Sequence, residues 1–514
     1  MIRYASFARS ARLAAAGSPA ATAVVDGPVL WTWRELDDRA DAVAGVLARE
    51  GVRPGDRVAL LAVPSAAAIA ALHGIARAGA VAAPLVVGLT APESSAAADV
   101  IDPRVVVHDR GLEAAAVAVG RPRLTLDSVA APTVRAGSGL DADTPAASEP
   151  APAASEPAPA ASEPTPAVVV LTSGTTGRPK AVVLSDRALV ASAEAWLAAL
   201  PVATGWLLAL GLGHVAGLGV VWRAALGGVP LVVLPRPDAA RIAAALAADP
   251  WPSHVSVVPT TLSRILDAVA DAPPPATLRA VLLGGGPIPP ELVRRAITAG
   301  WPVVPTYGLS EAGSGVTALP TVEAATHPEC AGRALPGVEL RTVDPDQAGV
   351  GEILVRTPAL FSEYLGDPAA AAAAVTDAGW LRTGDLGRLD GDGRLMVLDR
   401  RTDRIVRGGE NVSPAEVEAV LLDHPAIAEA AVVARRDETF GHVPVAAIVI
   451  RDPATDPGDD ALTIHCRERL AAAKVPVAFV RVETLPRTAA GKLRRAELRA
   501  TLDPTQRTTA EYLA

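Results

Sequence analysis

Nine consecutive residues, Thr172 to Lys180, read TSGTTGRPK and concentrate four hydroxyls, two glycines and a terminal lysine. Such a set suits gripping polyphosphate oxygens. The hydroxyls (Thr172, Ser173, Thr175, Thr176) and Lys180 donate, while Gly174 and Gly177 let backbone N–H groups approach closely. The pattern is not the G-x-x-x-x-G-K-[ST] loop, because the lysine comes late and no helix-opening GK[ST] follows. Read alone, it also fits an ordinary Ser/Thr/Gly surface turn. Four apolar residues, Val168 to Leu171, precede it and predict a short buried strand emptying into the loop.

Other strand-to-loop transitions are spaced along the chain. Ala280 to Leu283 runs into Gly284, Gly285, Gly286 and Pro287. Val303 to Pro305 runs into Thr306, Tyr307, Gly308, Leu309, Ser310 and Glu311. Ligands in open α/β sheets bind beyond the carboxyl ends of the strands, so these loops are expected to converge. The elements that carry them alternate. Arg34–Glu50 has helical apolar spacing, Val58–Val63 reads as a strand, Ile69–Ala78 as a helix and Ala80–Val87 as a strand. Helices are predicted at Asp186–Leu200, Glu416–Leu422 and His465–Ala473, and strands at Val255–Pro259, Ala430–Ala434 and Val443–Ile450. Residues 349–398 carry hairpin signals.

The expected fold class is α/β. A large N-terminal domain of parallel and mixed sheets with helices, plus a β-rich subdomain, is hinged to a small C-terminal α+β domain. With 514 residues the chain exceeds one core. The domains are placed at 1–399 and 400–514, with the hinge near 400–403 and the last twelve residues, 503–514, frayed. Within residues 143–166, AASEPAP stands at 146–152 and 153–159 and AASEPTP at 160–166. Prolines at the fifth and seventh places exclude a coiled coil, and the composition cannot bury a core, so this reads as a linker without chemistry.

A formal charge of -9 argues against a nucleic-acid surface. No uninterrupted apolar run reaches the roughly 18 residues of a membrane span. Two cysteines without a Cys/His cluster argue against a disulfide framework or structural zinc, and fit a reducing cytoplasm. The Arg- and Ala-rich start lacks a continuous apolar core and reads as an amphipathic helix leading to a strand.

TSGTTGRPK, TYGLSE, TGDLG, DRRTDRIVRGGENVSPAEVE and LPRTAAGKLRR occur in that order. Together they resemble the adenylate-forming superfamily of acyl-CoA synthetases, adenylation domains and luciferases. The resemblance spans nearly the whole chain, except the heptapeptide insert. It implies an AMP-forming acid–thiol ligase. ATP activates a carboxylate to an acyl-adenylate with release of pyrophosphate, and CoA then takes the acyl group. ATP, Mg²⁺ and CoA are the implied cofactor and co-substrates, and a small carboxylic acid is the implied partner. The cytoplasm is the implied location, and a homodimer is compatible with it.

The resemblance assigns Thr172–Lys180 to the phosphates, with Ala181 where a glycine is common. It assigns Glu311 to Mg²⁺, Tyr307 to adenine stacking, Gly284–Gly286 to backbone approach beside adenine, and Gly308 and Ser310 to the same nucleotide loop. Asp385 would accept from the ribose hydroxyls, and Arg400 would contact ribose and phosphate. Thr402 takes the hinge position, where the family has Asp or Lys. Gly408 and Gly409 belong to the loop that swings in for thioester formation, and Lys492 to the first half-reaction. His214 resembles a pocket-closing histidine with a role in catalysis, although a lone histidine in apolar sequence is more often a core residue. Gly313 would line the acid pocket.

Finer stretches, WLLALGLGHVAGLGVVWRAALGGVPLVVL among them, are similar to the o-succinylbenzoate–CoA ligase branch of menaquinone biosynthesis. Such a substrate has a second carboxylate, which needs a cation if buried. Arg223 is the candidate, against the alternative of an arginine snorkelling from a helix face. Three readings stand beside this one: a general medium-chain or aryl acyl-CoA synthetase, a carrier-protein-loading enzyme, and a non-catalytic nucleotide-binding relative. Intact Lys492, Glu311 and Asp385 argue against the last.

Overall fold

A computed structural model describes residues 7–89, 91–130, 165–173, 179–248, 252–400, 405–407, 410–412, 414–437, 440–470, 472–487 and 493–502. Two large sheets dominate. A nine-stranded sheet has a parallel centre, including Trp206–Leu208, His254–Val257, Ala280–Leu283 and Val303–Tyr307, with antiparallel strands at its edges. A seven-stranded sheet is parallel through Arg57–Leu61, Val81–Pro84, Val105–His108 and Arg123–Thr125. Its strand Pro166–Ser173 pairs parallel with Val81–Pro84 on one side. On the other it pairs antiparallel with Pro179–Ser185. A four-stranded antiparallel sheet forms the β-rich subdomain. A further sheet around Ile427–Asp437 and Gly441–Ile450 forms the C-terminal α+β unit.

Local chemistry explains the helices. Trp33–Arg49 opens on a capping box, with Thr32 N–H donating to Glu35 Oε2 (2.8 Å) and Glu35 N–H donating to Thr32 Oγ1 (3.3 Å). Asp186–Ala199 opens on Ser185, whose Oγ accepts from Ala188 N–H. Val215–Gly227 has one charge in thirteen residues and is buried on nearly every side, as a helix apolar all round must be. The main core lies around these helices, with Trp33, Leu36, Ile75, Trp206, Val221 and Trp222 in one cluster.

Several expectations shift in detail. The predicted strand at 168–171 extends to Ser173, and Lys180, expected in the loop, lies in the antiparallel partner strand Pro179–Ser185, opposite Thr172. Pro166, expected to end the linker, opens its strand instead, the position where a missing N–H costs least. Residues 143–164 of the linker lie outside the described residues, as does the tail 503–514. Arg400, expected to begin the C-terminal domain, closes strand Leu395–Arg400 because its backbone pairs with Asp385. The helix predicted at His465–Ala473 runs from Gly458 to Arg467, where Leu462 and Cys466 supply its buried face. The N-terminal helix spans Phe7–Gly17, as its amphipathic pattern predicts.

Phe7 of that helix stacks between His73 and Trp222, with ring centroids 4.1 and 3.8 Å away. Burial pushes the His73 pKa down to about 3, with the nearby Arg77 charge acting in the same direction. The unfolded chain protonates this imidazole below its ordinary value of about 6.5, so stability is lost as the pH falls from there. Taking the protein from pH 7 to pH 5 should cost about 2 kcal/mol through His73. Urea midpoints at the two pH values should therefore differ less in His73→Leu than in the wild type. Equal differences would remove His73 as the cause.

Candidate active site

Strand ends bring the predicted loops together. Gly284 N–H donates to the Val257 carbonyl (3.3 Å), and Thr306 Oγ1 donates to the Leu283 carbonyl (3.1 Å). A Cβ on Gly284 would overlap Thr306 Oγ1, so only glycine fits this turn. Gly285 and Gly286 are exposed beyond it, open to a ligand. Gly308 is equally constrained, because a Cβ there would overlap the Ser314 carbonyl. Ser314 itself sits at φ +104°, a region that costs a non-glycine residue about 1–3 kcal/mol. The tight turn 308–314 holds it there, through Ser314 N–H donating to the Leu309 carbonyl.

Tyr307 and Asp385 meet directly. The buried Tyr307 hydroxyl donates to Asp385 Oδ2 at 2.6 Å. The register that pairs Asp385 with Arg400 places the two expected ribose residues opposite each other on neighbouring strands. Glu311 and Lys180 form a second group. Tyr364 Oη donates to Glu311 Oε1 (2.9 Å), and Lys180 Nζ lies 4.6 Å from the centre of the same tyrosine ring. Among the described residues no other side chain bonds the Glu311 carboxylate. An acceptor-only oxygen group in the turn beyond strand Val303–Tyr307, sharing a tyrosine with a lysine, fits a hard cation that bridges phosphates.

The third group surrounds Arg223. This side chain is 2% exposed, yet no carboxylate pairs with it among the described residues. Its Nη2 donates to Ser256 Oγ (3.3 Å), and its guanidinium lies 4.6 and 5.5 Å from the rings of Trp206 and Trp196. Among the described residues its Nε has no hydrogen-bond partner, nor have Trp196 Nε1 and His254 Nε2. Burial without a counter-ion pushes the Arg223 pKa down to about 9. Burial also pushes His254 down to about 4, with the Arg223 charge adding to it. A Cβ on Gly219 would stand 3.3 Å from Arg223 Nη1 and 3.5 Å from Ser314 Oγ. Arg223 and Ser314 of the Gly308–Ser314 loop thus border the same point beside Gly219. Gly313, φ +65°, closes that loop, and its carbonyl accepts from Ser192 Oγ (2.6 Å).

His214 is half-buried at the N-terminus of the Val215–Gly227 helix. The preceding Gly-Leu-Gly turn packs against the Leu85–Val86 backbone, where a Cβ on Gly213 would stand 2.7 Å from Val86 N. Ser310 opens a short 3₁₀ turn that carries Glu311. Gly174, Thr175, Thr176, Gly177, Thr402, Gly408, Gly409 and Lys492 lie outside the described residues, and Ser173 and Arg400 are described by their backbone alone. Sequence reasoning passed over Tyr364, Ser256, His254, Ser314, Trp196 and Trp206. Their only signal is contact across the fold, which spacing does not carry.

The AMP-binding enzyme family matches residues 11–365, and the AMP-binding enzyme C-terminal domain matches residues 416–492. A 2-succinylbenzoate–CoA ligase of Geobacillus kaustophilus is 36% identical over 511 residues, covering 96% of this chain and 97% of the relative. That of Listeria monocytogenes is 33% identical, covering 94% and 97%. Among solved structures, o-succinylbenzoate CoA synthetase from Bacillus subtilis, in complex with its acyl-adenylate intermediate, superposes with a TM-score of 0.84 at 30% identity, covering 96% of this chain and 98% of that one. The same enzyme with ATP and magnesium gives 0.83 at 31%, covering 95% and 99%.

Proposed function

The chain belongs to the AMP-binding enzyme family, and on that premise we propose that it is an ATP-dependent 2-succinylbenzoate–CoA ligase. It is an AMP-forming acid–thiol ligase. A carboxylate oxygen of the acid attacks the α-phosphorus of ATP, pyrophosphate leaves, and an acyl-adenylate forms. The CoA thiol then attacks the acyl carbonyl, and AMP leaves with loss of the thiol proton. The single observation that carries the choice of acid is Arg223, a buried cation without a counter-ion among the described residues, next to the Gly308–Ser314 loop.

In this reading the hairpin at Thr172–Lys180 holds the phosphates. Gly284–Gly286 and Tyr307 hold adenine, and Asp385 with Arg400 holds the ribose. Glu311 would ligate Mg²⁺, which neutralises phosphate charge when bound. Tyr307 keeps the Asp385 carboxylate in place through its 2.6 Å hydrogen bond. His214, Gly313 and Arg223 take the acid, Gly408 and Gly409 serve the CoA step, and Lys492 serves adenylation. The C-terminal domain follows Arg400 and turns about the segment that contains Thr402. No helix among the described residues is long and apolar enough to cross a membrane. Cytoplasmic placement belongs to the same proposal, supported by ATP use and by two buried free cysteines, Cys330 and Cys466.

Pyrophosphate release from ATP, with and without CoA, tests this across o-succinylbenzoate, benzoates and fatty acids of several lengths. Strong CoA-dependent turnover with o-succinylbenzoate alone is the expected result. Turnover led by another acid would overturn the substrate and leave the chemistry. Adenylation that a carrier protein completes and CoA does not would replace the acceptor.

A further inference from the structure

Tyr364 joins two pieces of the site that arrive from distant parts of the chain. It belongs to the two-residue strand Glu363–Tyr364, which pairs antiparallel with Pro179–Ser185 and sets Tyr364 opposite Val182. Flanking bonds fix this strand, with Ser362 N–H donating to the Val183 carbonyl (2.8 Å) and Leu365 N–H to the Ala181 carbonyl (2.9 Å). Two residues before that strand begins, Phe361 N–H donates to the Glu311 carbonyl (2.8 Å). The strand is therefore fastened on one side to the chain that carries Lys180 and on the other to the turn that carries Glu311. The tyrosine side chain repeats the connection. Its hydroxyl donates to Glu311 Oε1 at 2.9 Å, and its ring lies beneath Lys180 Nζ at 4.6 Å.

An ordinary core tyrosine needs no such pair of contacts. Tyr364 is 6% exposed, and Phe361 packs on its ring at 4.7 Å. A phenol is un-ionised at neutral pH, so the Tyr364 hydroxyl is the donor and the Glu311 carboxylate the acceptor. A hydroxyl that occupies Oε1 limits the directions in which the carboxylate can turn and leaves Oε2 as the oxygen for a cation. The ring meanwhile offers Lys180 the negative face of its π-system.

We propose that Tyr364 is a positioning residue of the metal–phosphate site, its hydroxyl orienting Glu311 for Mg²⁺ and its ring holding Lys180 over the phosphates. This rests on the assignment of Glu311 and Lys180 given above. Lys180 and Glu311 carry opposite charges and serve opposite ends of one task. A rigid aromatic group between them keeps the two from collapsing into an ion pair when nucleotide is absent.

The test is ATP binding without acid substrate, followed by calorimetry in excess Mg²⁺ and in chelator. The ratio of the two Kd values measures how far Mg²⁺ tightens binding, with no turnover involved. Tyr364→Phe keeps the ring and removes the hydroxyl. A hydrogen bond to a charged group is worth enough that the Mg²⁺-dependent tightening should shrink about tenfold, while the Kd in chelator stays within about twofold of wild type. Tyr364→Leu removes the ring as well and should also weaken binding in chelator, as Lys180 loses its support. Wild-type tightening in Tyr364→Phe would overturn the proposal, and so would an equal weakening with and without Mg²⁺, which marks general damage. Glu311→Gln separates the layers. If it leaves the tightening intact, the metal assignment itself fails. If it abolishes the tightening while Tyr364→Phe does not, only the role of Tyr364 falls.

Discussion

Lys492→Ala is expected to cut acid-dependent pyrophosphate release by about 10²- to 10³-fold, the usual cost of removing one preorganised charge from a transition state. CoA-thioester formation from supplied acyl-adenylate should stay near the wild-type rate. Adenylation brings a carboxylate up to an α-phosphate, two anions that repel, and an ammonium between them offsets that repulsion while holding the near-attack geometry. Thioester formation starts from a neutral thiol and an acyl group already activated, so it makes no such demand. The flanks of this lysine argue that its removal leaves the frame intact. Arg487 and Leu493 form an antiparallel bridge, and Arg494 N–H donates to the Pro486 carbonyl (2.8 Å). On one side Arg487 pairs with Glu429 (3.1 Å from Nε). On the other, Arg495 meets the buried Glu418 with two bonds of 2.6 and 2.9 Å, and Glu418 also accepts from Val432 N–H. The described residues on either side of Lys492 are thus fastened by bonds of their own. Quenched single-turnover assays of each half-reaction check the split, and an equal loss in both would show that the lysine serves the fold or both steps.

How far the fold was legible in the sequence follows from where each signal resides. Ala280–Leu283 was readable to the residue because a four-residue apolar run ends at a glycine and pairs parallel on both sides. Arg34–Glu50 differed from the helix Trp33–Arg49 by a residue at each end, since the Thr32/Glu35 box marks the start. The pairing of Thr172 with Lys180 was harder. A run of hydroxyls and glycines declares a loop, but nothing in it says that the chain returns antiparallel through Pro179–Ser185. Likewise Arg400 looks like the start of a new domain by motif, and its pairing with Asp385 is set by a strand fifteen residues away in sequence. The site divides in the same manner. Glu311, Tyr307 and Asp385 stand in short motifs and could be named. Tyr364 meets Glu311, 53 positions away, and Lys180, which is further still, and the cage of Trp196, Trp206 and Ser256 exists only once three elements pack.

That cage sets the largest effect expected on specificity. Arg223→Met should lower kcat/KM for o-succinylbenzoate by about 10²- to 10³-fold, as loss of a buried charged partner costs roughly 2–5 kcal/mol and each 1.4 kcal/mol is tenfold. For benzoate or other acids with one carboxylate the change should stay within about threefold, because the reacting carboxylate meets ATP rather than Arg223. The free protein should respond in the opposite direction. A guanidinium 2% exposed carries a desolvation penalty of several kcal/mol per ion, and no carboxylate among the described residues offsets it. The faces of Trp206 and Trp196 return only about 1–2 kcal/mol each, and Ser256 adds one long hydrogen bond at 3.3 Å. A methionine of similar reach should therefore leave the melting temperature of the unliganded enzyme unchanged or raise it, while abolishing the extra stabilisation that o-succinylbenzoate gives the wild type. Arg223 would then be a residue kept at the expense of stability because its partner is the substrate. An arginine that only filled space would behave otherwise. Its replacement would lower the melting temperature and weaken every acid alike, and that pair of results would exclude a role in recognising the second carboxylate.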